Sequence, residues 1–215
     1  MRFLPYVIGI SSVVALFLLY KIATKDSFSR LYEGADGRPS TSKFQFFLWT
    51  VVVILTYTAL YTVKLQNHQF DPITDLPQNL LIAIGMSVIS ASAAKAITVS
   101  YINTGRISKA PIAAGKGQFG DIFQDDSGVP DLSKTQIIAW TFISIATYLV
   151  VVGRHISMQD PRIPDIDSSL MALMGLGHAA YLGKKAVSTA TIAGATVTGG
   201  DAAKQGIGAG GGGQA

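Results

Sequence analysis

Five runs of the chain, residues 3–20, 44–63, 76–94, 135–153 and 168–183, contain no Asp, Glu, Lys or Arg. Their lengths are 18, 20, 19, 19 and 16 residues. A hydrocarbon layer of roughly 30 Å is crossed by about 20 helical residues, fewer where flanking side chains snorkel. The runs are too long and too evenly apolar for barrel strands, which alternate between lipid and lumen. The pattern therefore predicts an all-α membrane protein with five transmembrane helices.

A longer period lies over this one. Residues 28–57 align without a gap on residues 119–148, with eleven identities in thirty positions. Phe28, Pro39, Ser42, Lys43, Gln45, Trp49 and Thr50 recur as Phe119, Pro130, Ser133, Lys134, Gln136, Trp140 and Thr141. The match resumes after one residue is lost, with Asp75, Leu80, Gly85 and Lys95 repeated as Asp165, Leu170, Gly175 and Lys185. A tandem duplication of a two-helix hairpin accounts for this. Each copy holds two spans, so both enter the membrane from one side as parallel repeats about an axis along the membrane normal. The expected architecture is a four-helix bundle with the N-terminal helix packed outside it. The divisions that follow are an N-terminal helix and connector (1–27), a first hairpin (28–101), a cytoplasmic linker (102–118), a second hairpin (119–187) and a glycine-rich, largely disordered tail (188–215).

Charge supplies orientation. Of the 17 Lys and Arg, thirteen follow the first, third and fifth runs and four fall on the opposite side. The bias places the N-terminus outside and the C-terminal tail in the cytoplasm. Lys21 and Lys25 stand where a signal peptide would carry its small-residue cleavage site, so the first helix reads as retained. The net charge of +4 and pI near 9.3 reflect basic cytoplasmic loops rather than a nucleic-acid partner.

Composition narrows the chemistry. With 14% charged residues and a mean hydropathy of +0.39, the 215 residues leave no room for a soluble catalytic domain. The absence of cysteine removes disulfides, thiolate metal sites and cysteine nucleophiles. His68, His155 and His178 have no metal-ligand spacing, and no carboxylate falls within a predicted span. No enzyme, metal or cofactor is expected.

Ser42-x-x-Gln45 and Ser133-x-x-Gln136 have the spacing of a capping box, in which serine and glutamine satisfy each other's ends of a new helix. Phe28, Leu31 and Tyr32 precede the first box, and Phe119, Ile122 and Phe123 the second, at the same distance. Free linkers have no reason to keep that spacing, so these residues read as short interfacial segments and a candidate docking surface. Gly85, and the row Gly175, Ala179 and Gly183, point to close helix packing. Ser87, Ser90, Ala94 and Thr98 share one face of the third helix, which either packs against protein or lines a narrow polar pore. His178 is read as a neutral, hydrogen-bonded histidine, since a relay would want a carboxylate partner.

The pattern Ser-Lys-x-Gln-x-x-x-Trp-Thr (133–141) followed by Leu-Met-Gly-Leu-Gly-x-x-x-Tyr-Leu-Gly-Lys-Lys (173–185) resembles two-helix hairpins of uncharacterised bacterial integral membrane proteins. The resemblance covers both halves and implies a bacterial inner membrane, with no activity to carry over. The expected function is a non-enzymatic, oligomeric membrane anchoring subunit. Its expected partners are the bilayer, further copies of itself and a cytoplasmic protein. The alternative is a small homo-oligomeric channel lined by the hydroxyl face of the third helix.

Overall fold

Charge-free sequence becomes helix wherever lipid offers backbone amides no other partner. A computed structural model describes residues 3–34, 37–103, 118–124 and 129–205, with side chains described for all of these except 98, 101–103, 185 and 188–205. The described residues form five α-helices: α1 (Leu4–Thr24), α2 (Thr41–Gln66), α3 (Gln78–Asn103), α4 (Leu132–Ser157) and α5 (Ser168–Gln205). Among the described residues there is no strand, only two isolated bridges. Among the described residues four helices, α1 to α4, are long and apolar enough to cross a membrane.

The fifth expected span falls short of that measure. The apolar part of α5 carries Gly175, Gly177, His178 and Gly183 and meets Lys184 and Lys185 within five turns. Helical backbone nonetheless runs on to Gln205, past the boundary expected at 187, through sequence in which alanine favours helix. Residues 104–117 of the expected linker and 206–215 of the tail lie outside the described residues.

Helix ends explain why α2 and α4 exceed their charge-free runs. Each is 26 residues long, about 39 Å at 1.5 Å per residue, so Lys43, Lys64, Lys134 and Arg154 sit in terminal turns beyond a hydrocarbon layer of roughly 30 Å. Both helices stop at left-handed residues, His68 at φ 57° and Gln159 at φ 56°. The amides of Gln69 and Asp160 then return to the carbonyls of Lys64 and His155, at 3.1 and 2.9 Å. These closures satisfy carbonyls that a helix end otherwise leaves bare.

α2 lies against α1, α3 and α4, and α5 lies against α3 and α4. α2 and α4 run parallel, joined by Gln45–Thr141 near their starts and Asn67–Gln159 at their ends. The main core gathers Trp49, Leu60 and Val63 of α2, Leu80 and Ala83 of α3, Tyr148, Val152 and Ile156 of α4, and Met171 and Met174 of α5. A smaller cluster of Phe44, Ile122 and Ile138 closes the end where α2 and α4 begin. α1 is the outlier, with 6% of its apolar window buried. It touches α2 through Gly9, where an added Cβ would sit 3.0 Å from the Leu55 carbonyl oxygen and 3.2 Å from the Ala59 Cβ. The Ser12 and Thr58 hydroxyls, 3.0 Å apart, fix that contact, and a bond of 3.2 Å from the Tyr6 hydroxyl to the Gly153 carbonyl ties α1 to α4.

Candidate functional site

The starts of α2 and α4 share one local construction. A short 3-10 helix (Phe28–Leu31 before α2, Phe119–Phe123 before α4) leads into a loop pinched by an antiparallel bridge, Glu33 to Pro39 and Gln124 to Pro130. The amide of Ser40 donates to the Tyr32 carbonyl and that of Asp131 to the Phe123 carbonyl, each at 2.7 Å. One turn into the helix a lysine folds back over the loop. Lys43 Nζ donates to the Glu33 carbonyl at 2.7 Å, and Lys134 Nζ to the Gln124 carbonyl at 2.5 Å. Proline at the bridge cannot extend a helix backwards, so the helix has a fixed starting point in both places.

The two starts differ in what covers them. Phe28 packs on Phe17 and Tyr20 of α1, and Phe119 packs edge-on against Phe44 of α2. Ile122 is fully enclosed, and its carbonyl accepts a bond of 2.7 Å from the Thr41 hydroxyl at the start of α2. Of the six candidate docking residues, Phe28, Leu31 and Phe119 are exposed, Tyr32 and Phe123 half-buried, and Ile122 buried.

The capping boxes do not form. α2 is capped by Ser40 without a side-chain bond, and α4 by Asp131, whose Oδ1 accepts from the Ser133 amide at 2.9 Å. The bridge sets the helix start two residues earlier than the Ser-x-x-Gln spacing implies. Ser42 is therefore a buried first-turn residue, and Ser133 is half-buried. Gln45, carried to the inner face of α2, donates from Nε2 to the Thr141 hydroxyl of α4 at 2.8 Å. Gln136, its counterpart, is exposed.

Asp131 also binds the middle of α5, where its apolar part ends: its Oδ2 lies 3.0 Å from Lys184 Nζ. Burial pushes the Asp131 carboxyl up, but Lys184 and the amides of Ser133 and Lys134 outweigh it and hold the group below the ordinary carboxylate range. Neither partner was read from sequence as a site residue, because a contact over 53 residues leaves no local pattern.

The hydroxyl face of α3 is turned inward. Ser87 and Ser90 are buried, and the Ser90 hydroxyl meets His178 Nδ1 of α5 at 2.7 Å. Ala94 is buried as well, and the side chain of Thr98 lies outside the described residues. The close-packing glycines are not those expected. A Cβ at Gly85 or Gly183 would meet nothing within 4 Å, and one at Gly175 only the Met86 sulfur at 3.8 Å. Ala179 and Gly183 are exposed, so the row does not form a tight helix contact. Gly9 and Gly177 are the tight positions; a Cβ added at Gly177 would sit 3.2 Å from the Ile137 side chain. Among the described residues no group of three or more His, Asp and Glu is placed to hold a metal. Compared with family models, curated proteins and solved structures, the chain finds no match.

Proposed function

We propose that this chain is a non-enzymatic anchoring subunit of a bacterial inner membrane, whose matched helix starts form a cytoplasmic docking face. The single observation behind this reading is that face: two loops of the same construction, each clamped by a lysine and each presenting a phenylalanine, Phe28 or Phe119, at least 39% exposed. A clamped loop loses little further entropy when a partner binds, which favours docking. The matched bridges, lysine clamps and left-handed helix stops support a tandem duplication of a helical hairpin, framed as a four-helix bundle with α1 outside. The excess of Lys and Arg on the same side supports a cytoplasmic placement of the loops. Burial of Ser87 and Ser90, the latter bonded to His178 of α5, favours close packing over a shared pore along α3.

The test is co-purification in mild detergent from the native membrane, with Phe28→Ser and Phe119→Ser combined. A soluble protein bound by the wild type in fixed proportion and lost from the double variant supports the anchor. Wild-type protein that recovers no such partner, together with ion flux in reconstituted liposomes, overturns it. Mass measurement of the detergent complex reads the proposed self-association directly.

A further inference from the structure

A row of polar side chains lies sealed between α2 and α4. Gln45, Trp49 and Thr56 form it on α2, and Thr141, Ser144 and Tyr148 on α4, none more than 2% exposed. One bond crosses the row, Gln45 Nε2 to Thr141, whose own hydroxyl donates to the Ile137 carbonyl. Trp49 and Tyr148 meet edge to face with centroids 6.3 Å apart, and the Thr56 hydroxyl lies beside that of Tyr148.

Three atoms of the row, Gln45 Oε1, Trp49 Nε1 and Ser144 Oγ, have no hydrogen-bond partner within the chain, and the neighbouring Thr56 and Tyr148 hydroxyls have none beyond each other. Helical serine and threonine can return to their own backbone, as Thr141 does. An indole N–H and an amide oxygen have no such route. One only donates and the other only accepts. Between helices that cross lipid, neither can turn to bulk water, and a bare polar group there is costly. The occupant that satisfies both must be small, donate and accept, and carry no charge, since the row offers no ionised group to offset desolvation. Water meets all of these.

We propose that the α2–α4 seam is a hydrated site, in which a short file of water molecules links Gln45 Oε1, Ser144, Trp49 Nε1, Thr56 and Tyr148. The site is blind. Gln45 to Thr56 spans about 16 Å of helix, roughly half of a 30 Å hydrocarbon layer. Beyond Thr56 the interface closes with Leu60, Val63, Val152 and Ile156, and at the other end Phe44, Ile122 and Ile138 roof it. The geometry therefore holds water without conducting it.

The chain's 2 tryptophans make the test direct. In nitrogen-15-labelled full-length protein in micelles, Trp140→Phe leaves one indole resonance, that of Trp49. Trp49 has no surface of its own, so magnetisation transferred to it from water must arise inside the protein. The expected result is a water cross-peak at the Trp49 indole, lost or strongly weakened on Tyr148→Phe, with Ser144→Ala as the second variant should Tyr148→Phe fail to fold. An indole proton protected from exchange and without a water cross-peak in otherwise wild-type protein overturns the proposal. So does a cross-peak that both variants leave unchanged.

Discussion

Ser40 and Asp131 occupy matching places at the starts of α2 and α4, yet their alanine variants should behave differently. Ser40 makes no side-chain cap bond. Asp131 accepts the Ser133 amide at 2.9 Å and faces Lys184 Nζ at 3.0 Å, with the aspartate side chain 4% exposed and the lysine 46%. Losing an N-cap bond costs about 1 kcal/mol. The ion pair adds only about 0.5 kcal/mol, because Lys184 is half in solvent and screened. Asp131→Ala should therefore cost about 1.5 kcal/mol, close to a tenfold change in the folding equilibrium. Ser40→Ala should stay within about 0.5 kcal/mol. Reversible unfolding in mixed micelles of mild detergent and dodecyl sulfate, followed by helical circular dichroism, reads both. Acid supplies a second arm. The Asp131 carboxyl is held below its usual value of 3.8, so its contribution is complete above that pH and disappears as pH falls through the lower folded-state value. Asp131→Asn should flatten the loss of stability below about pH 4. Equal costs for the two alanine variants, or an acid limb unchanged by Asp131→Asn, would refute the assignment of Asp131 as a loaded cap.

Two further outcomes follow from the helix contacts. Gln45→Leu and Thr141→Val should show a coupling of about 0.6 kcal/mol in a double-mutant cycle in the same micelles, and independent effects would deny the bond a role in pairing α2 with α4. With no native cysteine, Ser12→Cys with Thr58→Cys should cross-link on oxidation in membranes, since the native hydroxyls stand 3.0 Å apart. Adding Gly9→Leu should abolish that cross-link by forcing α1 off the Leu55 carbonyl, whereas Gly85→Ala, with nothing within 4 Å, should leave it intact.

The four long helices were legible because the rule that makes them is local: no charge over about 20 residues, and backbone amides with only each other to bond. α5 blurred for the same reason, since His178 and its glycines dilute the apolar signal before Lys184 arrives. The surroundings of the candidate docking residues were half legible. Equal spacing before both helices marked them, but which would be covered depended on α1 reaching Phe28 and on Ile122 docking at Thr41. The capping boxes misled because Ser-x-x-Gln fits two situations, a helix start and a first-turn face. A bridge at Pro39 and Pro130 decided between them. Gly175, Ala179 and Gly183 were the right kind of row, but only Gly175 nears another helix, at Met86 of α3, and loosely, whereas Gly9 stood alone and gave no period to notice. The row could have been found from polar side chains recurring at four- and seven-residue intervals from Gln45 to Thr56, and at three- and four-residue intervals from Thr141 to Tyr148.

The bond from Thr41 to Ile122 joins residues 81 apart in the chain. At about 5–20 residues per second, translation reaches Ile122 roughly 4–16 s after Thr41 has been made. For that interval the opening turn of α2 has neither the carbonyl that its threonine will hold nor the isoleucine that will cover Phe44. The earlier half of the protein thus waits, unfinished at one edge, for the ribosome to deliver the later half.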